Sequence, residues 1–231
     1  MKILVVDVGG THVKMLLSGH RTKLQFDSGP KMTAAAMAAT AKKLAAEAGW
    51  KYDLISIGFP GPVLHDMPVA EPHNLGPGWV GFDYKRAFGC PVKTVNDAAM
   101  QAMGSYEGRR MLFLGLGTGL GSAMVVDSIL EPLELAHLPY KKGRTYEDYV
   151  GLAGLERLGK KKWRKYVAEV IVKLKTAMQA DYVVVGGGNA RLLKRLPPDT
   201  RLGDNNNAFR GGFRLWQKQG HVTRRKHLVH Q

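Results

Sequence analysis

Apolar residues along this chain fall into short runs separated by glycine-rich or polar breaks, and one device occurs twice. Residues 3–17 (ILVVDVGGTHVKMLL) and 111–126 (MLFLGLGTGLGSAMVV) each read as a β-rich apolar run, a tight glycine turn and a second apolar run. That pattern predicts a hairpin in each place and a duplicated architecture. Between them, the alanine-rich stretch 33–48 predicts a helix stopped at Gly49, and 54–63 (LISIGFPGPV) a buried strand entering a Gly/Pro turn. Residues 64–89 read as loop, 91–95 as a short strand, and 98–108 as a helix with Asn96 or Asp97 as its N-cap.

After the second hairpin, 129–140 reads as irregular and 146–180 as largely helical. Residues 181–196 (DYVVVGGGNARLLKRL) predict a strand, a glycine turn and a helix, and 205–216 a polar turn with a short helical segment. Strands alternating with helices place the chain in the α/β class. The repeated hairpin predicts two lobes, 1–95 and 96–231, with the terminal helical segment free to pack back on the first lobe.

Composition narrows this only in places. Hydrophobic residues at 45% and charged residues at 23% are ordinary for a globular protein of 231 residues. A single cysteine, Cys90, cannot form an intrachain disulfide or a zinc knuckle, so a reducing cytoplasm is the expected compartment. Asp7 interrupts the first apolar run too early for a signal peptide, and no run approaches the ~20 apolar residues of a membrane helix. Net charge is the outlier: +15, gathered in Lys141–Arg144, Lys160–Lys165 and Arg224–Lys226. It predicts attraction to polyanions, although each run also reads as an ordinary solvated face or tail.

The glycine turns carry the candidate chemistry. Glycines let the backbone approach a phosphate and aim several N–H groups at it. Gly9, Gly10 and Thr11 would cradle one side of a phosphate, and Gly117, Thr118 and Gly119 the other. Asp7 suits a Mg²⁺ shell reached through water, or simply closes a turn; Lys14 either meets phosphate or is a strand-face lysine. Asp97, at a strand end, can accept a hydroxyl proton, or can serve as an N-cap. Residues 115–121 lack the lysine of a P-loop and the spacing of a dinucleotide fingerprint, which disfavours a nicotinamide dehydrogenase.

Taken in order, Asp7–Lys14, GFPGPV at 58–63, Asn74 in PHNLGPGW, Asn96-Asp97-Ala98, Leu116–Gly121, Glu134–His137 and Val185–Gly188 resemble the motifs of ROK-family sugar kinases. The similarity runs over nearly the whole chain and looks closest to the polyphosphate glucokinase branch. It implies a two-lobed actin-like ATPase fold (ribonuclease H-like) with duplicated mixed β-sheets flanked by helices. It further implies Asp97 as general base, Asp7 as the Mg²⁺-facing carboxylate, and Asn74, Asn96, Asp97, Glu134 and His137 as sugar-binding residues. Gly187 and Gly188 would form the adenosine-side turn.

Two departures qualify the likeness. Ala136 stands where family members commonly have glycine before the histidine. The cysteine cluster that holds a structural zinc in many members is absent, so no zinc is expected. The implied activity is transfer of a phosphoryl group from polyphosphate or ATP, with Mg²⁺, to the 6-hydroxyl of glucose. An N-acetylhexosamine or other hexose kinase, or a non-catalytic sugar sensor, are the alternatives; a homodimer is compatible with the resemblance. Regulatory members carry a helix-turn-helix ahead of the first phosphate motif, and a first strand beginning at Ile3 leaves no room for one. No aromatic–basic interleaving points to a specific nucleic acid, and no membrane partner is expected.

Overall fold

A computed structural model describes residues 1–204 and 206–217; the basic run Arg224–Lys226 lies outside the described residues. In chain order the first half comprises β1 (Ile3–Val8), β2 (His12–Leu17), β3 (Leu24–Asp27), α1 (Ala34–Glu47), β4 (Leu54–Phe59), a ribbon of β5 (Val63–Leu64) and β6 (Met67–Pro68), α2 (Tyr84–Phe88) and β7 (Val92–Asn96). The second half comprises α3 (Asp97–Ser105), β8 (Arg110–Leu116), β9 (Leu120–Val126), β10 (Ile129–Leu133), β11 (Pro139–Lys141), β12 (Arg144–Thr145), α4 (Tyr146–Val150), α5 (Leu152–Ala177), β13 (Tyr182–Gly186), β14 (Thr200–Leu202) and α6 (Asn207–Arg214).

The two five-stranded sheets share one topology. Their orders are β3-β2-β1-β4-β7 and β10-β9-β8-β13-β14. In each, three strands form an antiparallel meander, and a helix then carries the chain to two parallel strands on the other side of the first. Leu4, Val5 and Val6 are all buried, as a central strand covered on both faces requires.

Five layers result. α1 packs its alanine and methionine face on one side of the first sheet, and α5 packs Trp163, Val167, Val170, Ile171 and Leu174 on the outer side of the second. α3 and α6 lie between the sheets. Ala98, Ala99 and Ala102 of α3 meet the second sheet, while Met100 joins Val5, Ala208 and Phe209 against the first. A Cβ at Gly104 would collide with the Asn207 carbonyl, and one at Gly211 with the Met100 carbonyl, so the two helices cross at backbone contact. α6 also reaches β1 and β4: Gly212 sits against Val5, and the Ser56 hydroxyl donates to the Gly212 carbonyl at 2.6 Å.

Local signals account for most elements. The Thr33 hydroxyl accepts from the Ala36 N–H at 3.1 Å, and Gly49, at φ +68°, ends α1. Four expectations are corrected. The helix expected over 98–108 spans 97–105, because Tyr106 turns extended and Gly108 takes φ +95°. Residues 129–133 form β10 rather than irregular chain; as an edge strand it tolerates Pro132. The 146–180 segment is two helices broken at Gly151, and the second is kinked at Gly159 (φ +70°). The helix expected after Gly188 is a single 3₁₀ turn, Ala190–Leu192. Arg164 of α5 donates to the Leu192 carbonyl at 2.6 Å, Leu193 turns extended, and Pro197-Pro198 follow.

Candidate active site

The glycine turns, Asp7 and Asn96–Asp97 lie at the carboxyl ends of the parallel strands, where open α/β sheets place ligands, whereas Glu134 and His137 follow the antiparallel edge strand β10. Asp7 lies opposite Lys14 on β2 and Gly58 on β4. A side chain at Gly58 would strike Met100, and its Cβ would lie 3.3 Å from an Asp7 carboxylate oxygen, so the glycine leaves that carboxylate its space. Burial pushes the Asp7 pKa up to about 6, against the lowering charges of Lys14 and Lys23.

Asp97 is the first residue of α3, and Asn96 is the cap. The Asn96 Oδ1 accepts from the N–H groups of Ala98 (2.9 Å) and Ala99 (3.2 Å), and its Nδ2 donates to the Gly61 carbonyl at 3.0 Å. Only one amide N–H of Asn96 is therefore left for a ligand. With Asn96 also capping, the Asp97 carboxylate accepts from the Ala98 N–H at 2.7 Å, and its pKa is lowered further by its own backbone N–H. Burial first, and the nearby charge of Asp7 second, together push that pKa up to about 7 against the lowering backbone hydrogen bonds. The two carboxylates thus lie near enough for the charge of Asp7 to act on Asp97.

The residue after Asp97 ties this carboxylate pair to the second hairpin. A Cβ at Gly121 would crowd the Ala98 methyl, and one at Gly115 would touch it at 3.8 Å. The start of α3 is accordingly shared by both hairpins: Asp97 toward Asp7, Ala98 beneath β8 and β9.

The glycine turns differ in surroundings. The Gly9 N–H donates to the His12 carbonyl at 3.0 Å, and the Ser28 hydroxyl donates to the Gly9 carbonyl at 2.6 Å. Gly10 and Thr11 are exposed, and Asn74 leans over Gly10, its Cβ 3.3 Å from where a side chain would begin. At the second tip, Gly117 has open space beside its Cα, Thr118 is exposed, and the Thr118 carbonyl accepts from the first N–H of α5 at 3.0 Å. The third turn is folded onto that tip. Gly187, at φ +81°, abuts the Leu116 backbone, and the Asn189 side chain donates to the Gly117 carbonyl at 3.0 Å; Gly188 faces open space.

Glu134 and His137 lie 3.5 Å apart, both exposed. His137 sits in a β-turn closed by Leu138 N–H to Leu135 O at 3.3 Å, and Glu134 immediately precedes that turn. Ala136 is buried, and its carbonyl accepts from the Glu147 N–H at 3.0 Å, so the methyl replacing glycine is absorbed by the core. Glu147 was not singled out by the sequence. Its carboxylate accepts from the Leu120 N–H at 3.0 Å beside Gly119. The Thr145–Asp148 capping box, which starts α4 and aims Glu147, was its readable trace.

No group of three or more His, Cys, Asp or Glu among the described residues could hold a metal ion by itself, and no described helix is long and apolar enough to cross a membrane. Two five-stranded mixed sheets of one topology, each carrying a glycine hairpin and flanked by helices, make an actin-like fold. The family description "ROK family" matches residues 3–131, and the chain belongs to that family. Among solved structures it resembles the inorganic polyphosphate/ATP-glucomannokinase of Arthrobacter sp. strain KM (22% identity, TM-score 0.76, covering 91% of this chain and 96% of that one). It also resembles a ROK family glucokinase from Streptomyces griseus in complex with glucose and AMPPNP (15%, 0.72, 91% and 97%). A ROK family transcriptional regulator, a homolog of the E. coli MLC protein, shares the fold as well (13%, 0.71, 93% and 77%). A search of curated protein sequences found no match.

Proposed function

We propose that this protein is a sugar kinase that transfers a phosphoryl group from polyphosphate or ATP to the 6-hydroxyl of glucose. The observation that carries this reading is Asp97: a carboxylate at the shared start of α3, beside the Asn96 cap, with a pKa raised to about 7. A general base works best with a pKa near the operating pH.

In the proposed reaction the sugar O6 attacks the terminal phosphorus of the donor. The O6–P bond forms, the bridging P–O bond breaks, and its electron pair leaves on the shortened donor. Asp97 takes the O6 proton. Backbone N–H groups of Gly10, Thr11, Thr118 and Gly119 flank the transferring phosphate, with Lys14 on the first side, while the Gly9 and Gly117 N–H groups close their own turns on the His12 and Gly119 carbonyls. Asn74, Glu134, His137 and the free N–H of Asn96 orient the hexose, and Glu147 borders the same side.

The residues fit one Mg²⁺. Asp7 is a carboxylate set by burial and two lysine charges alone, with no second acid beyond Asp97 to complete a cage, so donor oxygens and water would supply the remaining ligands. Bound there, the ion would neutralise charge on the donor phosphates. Gly187 and Gly188 would border the donor side, and a cytoplasmic setting follows from this substrate pair.

The test is direct. Protein, Mg²⁺ and glucose are incubated with ATP or polyphosphate in separate reactions, and glucose 6-phosphate is assayed. Absence of product with both donors refutes the kinase reading and leaves a sugar-sensing role on the same fold. The same assay with N-acetylmannosamine or N-acetylglucosamine decides the hexose.

A further inference from the structure

Folding separates two basic runs that look equivalent in the sequence. Lys141 is consumed internally: its ammonium meets Glu169 at 2.7 Å and lies over the rings of Tyr140 and Tyr166 at 5.0 and 5.2 Å. The α5 run is left bare. Lys160, Lys161, Lys162 and Lys165 are exposed, and among the described residues none of them forms an ion pair. The same holds for Arg191, Lys194 and Arg195, which surround the 3₁₀ turn.

These two groups are neighbours. The Arg164–Leu192 hydrogen bond at 2.6 Å joins α5 to the 3₁₀ turn. Lys160 and Lys161 precede Arg164 by four and three residues and so share its helix face. From Arg157 to Arg195 the only acids are Glu169 and Asp181. Glu169 is engaged by Lys141, and Asp181 accepts from the Arg110 N–H at 2.8 Å and meets Arg109. Unneutralised cations at this density repel one another, a cost that an anionic occupant removes.

The position and the chemistry select the occupant. Both segments start at the second hairpin tip, α5 through Leu152 N–H to Thr118 O and the 3₁₀ turn through Asn189 to Gly117 O. The surface then leads away from the tip along the part of α5 that follows the break at Gly159. Its one tryptophan gives bases no stacking platform, since Trp163 is fully buried with its indole N–H on the Val150 carbonyl.

We propose that the surface formed by Lys160, Lys161, Lys165, Arg191, Lys194 and Arg195 anchors the trailing phosphates of an inorganic polyphosphate chain whose terminal unit reacts between the hairpins. The proposal rests on the kinase reading above and narrows its donor. Only the end phosphate touches the catalytic residues, so this surface governs the affinity for long donors and leaves the chemical step unchanged.

Two variants test it, Lys160→Ala/Lys161→Ala/Lys165→Ala and Arg191→Ala/Lys194→Ala/Arg195→Ala; alanine keeps the helix intact. Binding of long-chain polyphosphate without sugar is measured over a salt series, and turnover is measured with long chain, tripolyphosphate and ATP. In each variant, long-chain affinity and apparent KM weaken about tenfold and the salt slope falls, while tripolyphosphate and ATP constants stay within about twofold. Unchanged long-chain affinity in both variants overturns the proposal, as does an equal loss with tripolyphosphate. Competition by single-stranded RNA as effective as by polyphosphate overturns it in favour of a nucleic-acid surface. If no donor yields sugar phosphate, the kinase reading fails; the anchoring surface then stands or falls on the binding series alone.

Discussion

The two hairpins share a topology and a tip of Gly, Thr and Gly, yet they differ in what surrounds them. The first carries its own chemistry: Asp7 and Lys14 face each other across its strands, and Asn74 leans over its turn. The second carries none on its strands and borrows a carboxylate from Glu147, 27 residues beyond its Leu120 partner. Duplication therefore supplied two similar backbone tips, and asymmetry in the side chains around them divided the labour. One tip faces the acidic pair, while the other opens toward α5 and the bare basic surface.

The sharpest way to break this contrast is at the shared start of α3. Asp97→Asn should lower kcat by about 10²–10⁴ while sugar binding, measured by calorimetry, stays near wild type; an active variant removes the base assignment. Next comes the helix that ties the halves together. Gly211→Ala drives a methyl into the Met100 carbonyl, and thermal or denaturant unfolding should show a loss of about 3 kcal/mol or more.

Glu147→Gln addresses the second hairpin alone. It keeps the bond from Leu120 and removes the charge, and should raise the sugar KM about tenfold with little change in the donor KM. An effect confined to the donor would place Glu147 beside the transferring phosphate rather than beside the hexose.

Acidity gives the smaller effects. With the Asp97 pKa near 7, activity should rise with pH through about 7, and in Asp7→Asn the midpoint should move down because the Asp7 charge no longer raises it. A midpoint that stays put means the two carboxylates do not interact. Stability carries the opposite sign. Between an unfolded value near 3.8 and about 7, the native state holds the Asp97 proton that the unfolded state has lost, so this site's contribution to stability falls as pH rises. Asp97→Asn should therefore raise Tm by a few degrees at pH 8 and by less at pH 5, as differential scanning calorimetry can measure.

The hairpins, α1 and the Asn96 cap were legible because short-range patterning decides them: apolar runs meeting at a glycine turn, alanine propensity bounded by Thr33 and Gly49, and an amide two residues from the N–H it caps. β10 was not legible, since an edge strand with Pro132 exists only because β9 pairs with it. The expected helix after Gly188 failed for a similar reason. A guanidinium from α5 takes the carbonyl the helix would have used, and no local signal in 189–196 announces Arg164. Glu147 was hidden among ordinary surface-type residues of a helix start.

The sequence by itself determined the α/β class, the doubled hairpin, the glycine turns and the positions of Asp7 and Asp97, because backbone conformation and hydrophobic period act over a few residues. Tertiary structure alone decided that the charge of Asp7 acts on Asp97, that Glu147 reaches the second tip, and that Lys141 is neutralised while Lys160, Lys161 and Lys165 are not. Charge and burial act through space, and a chain read in order does not show which distant groups will meet.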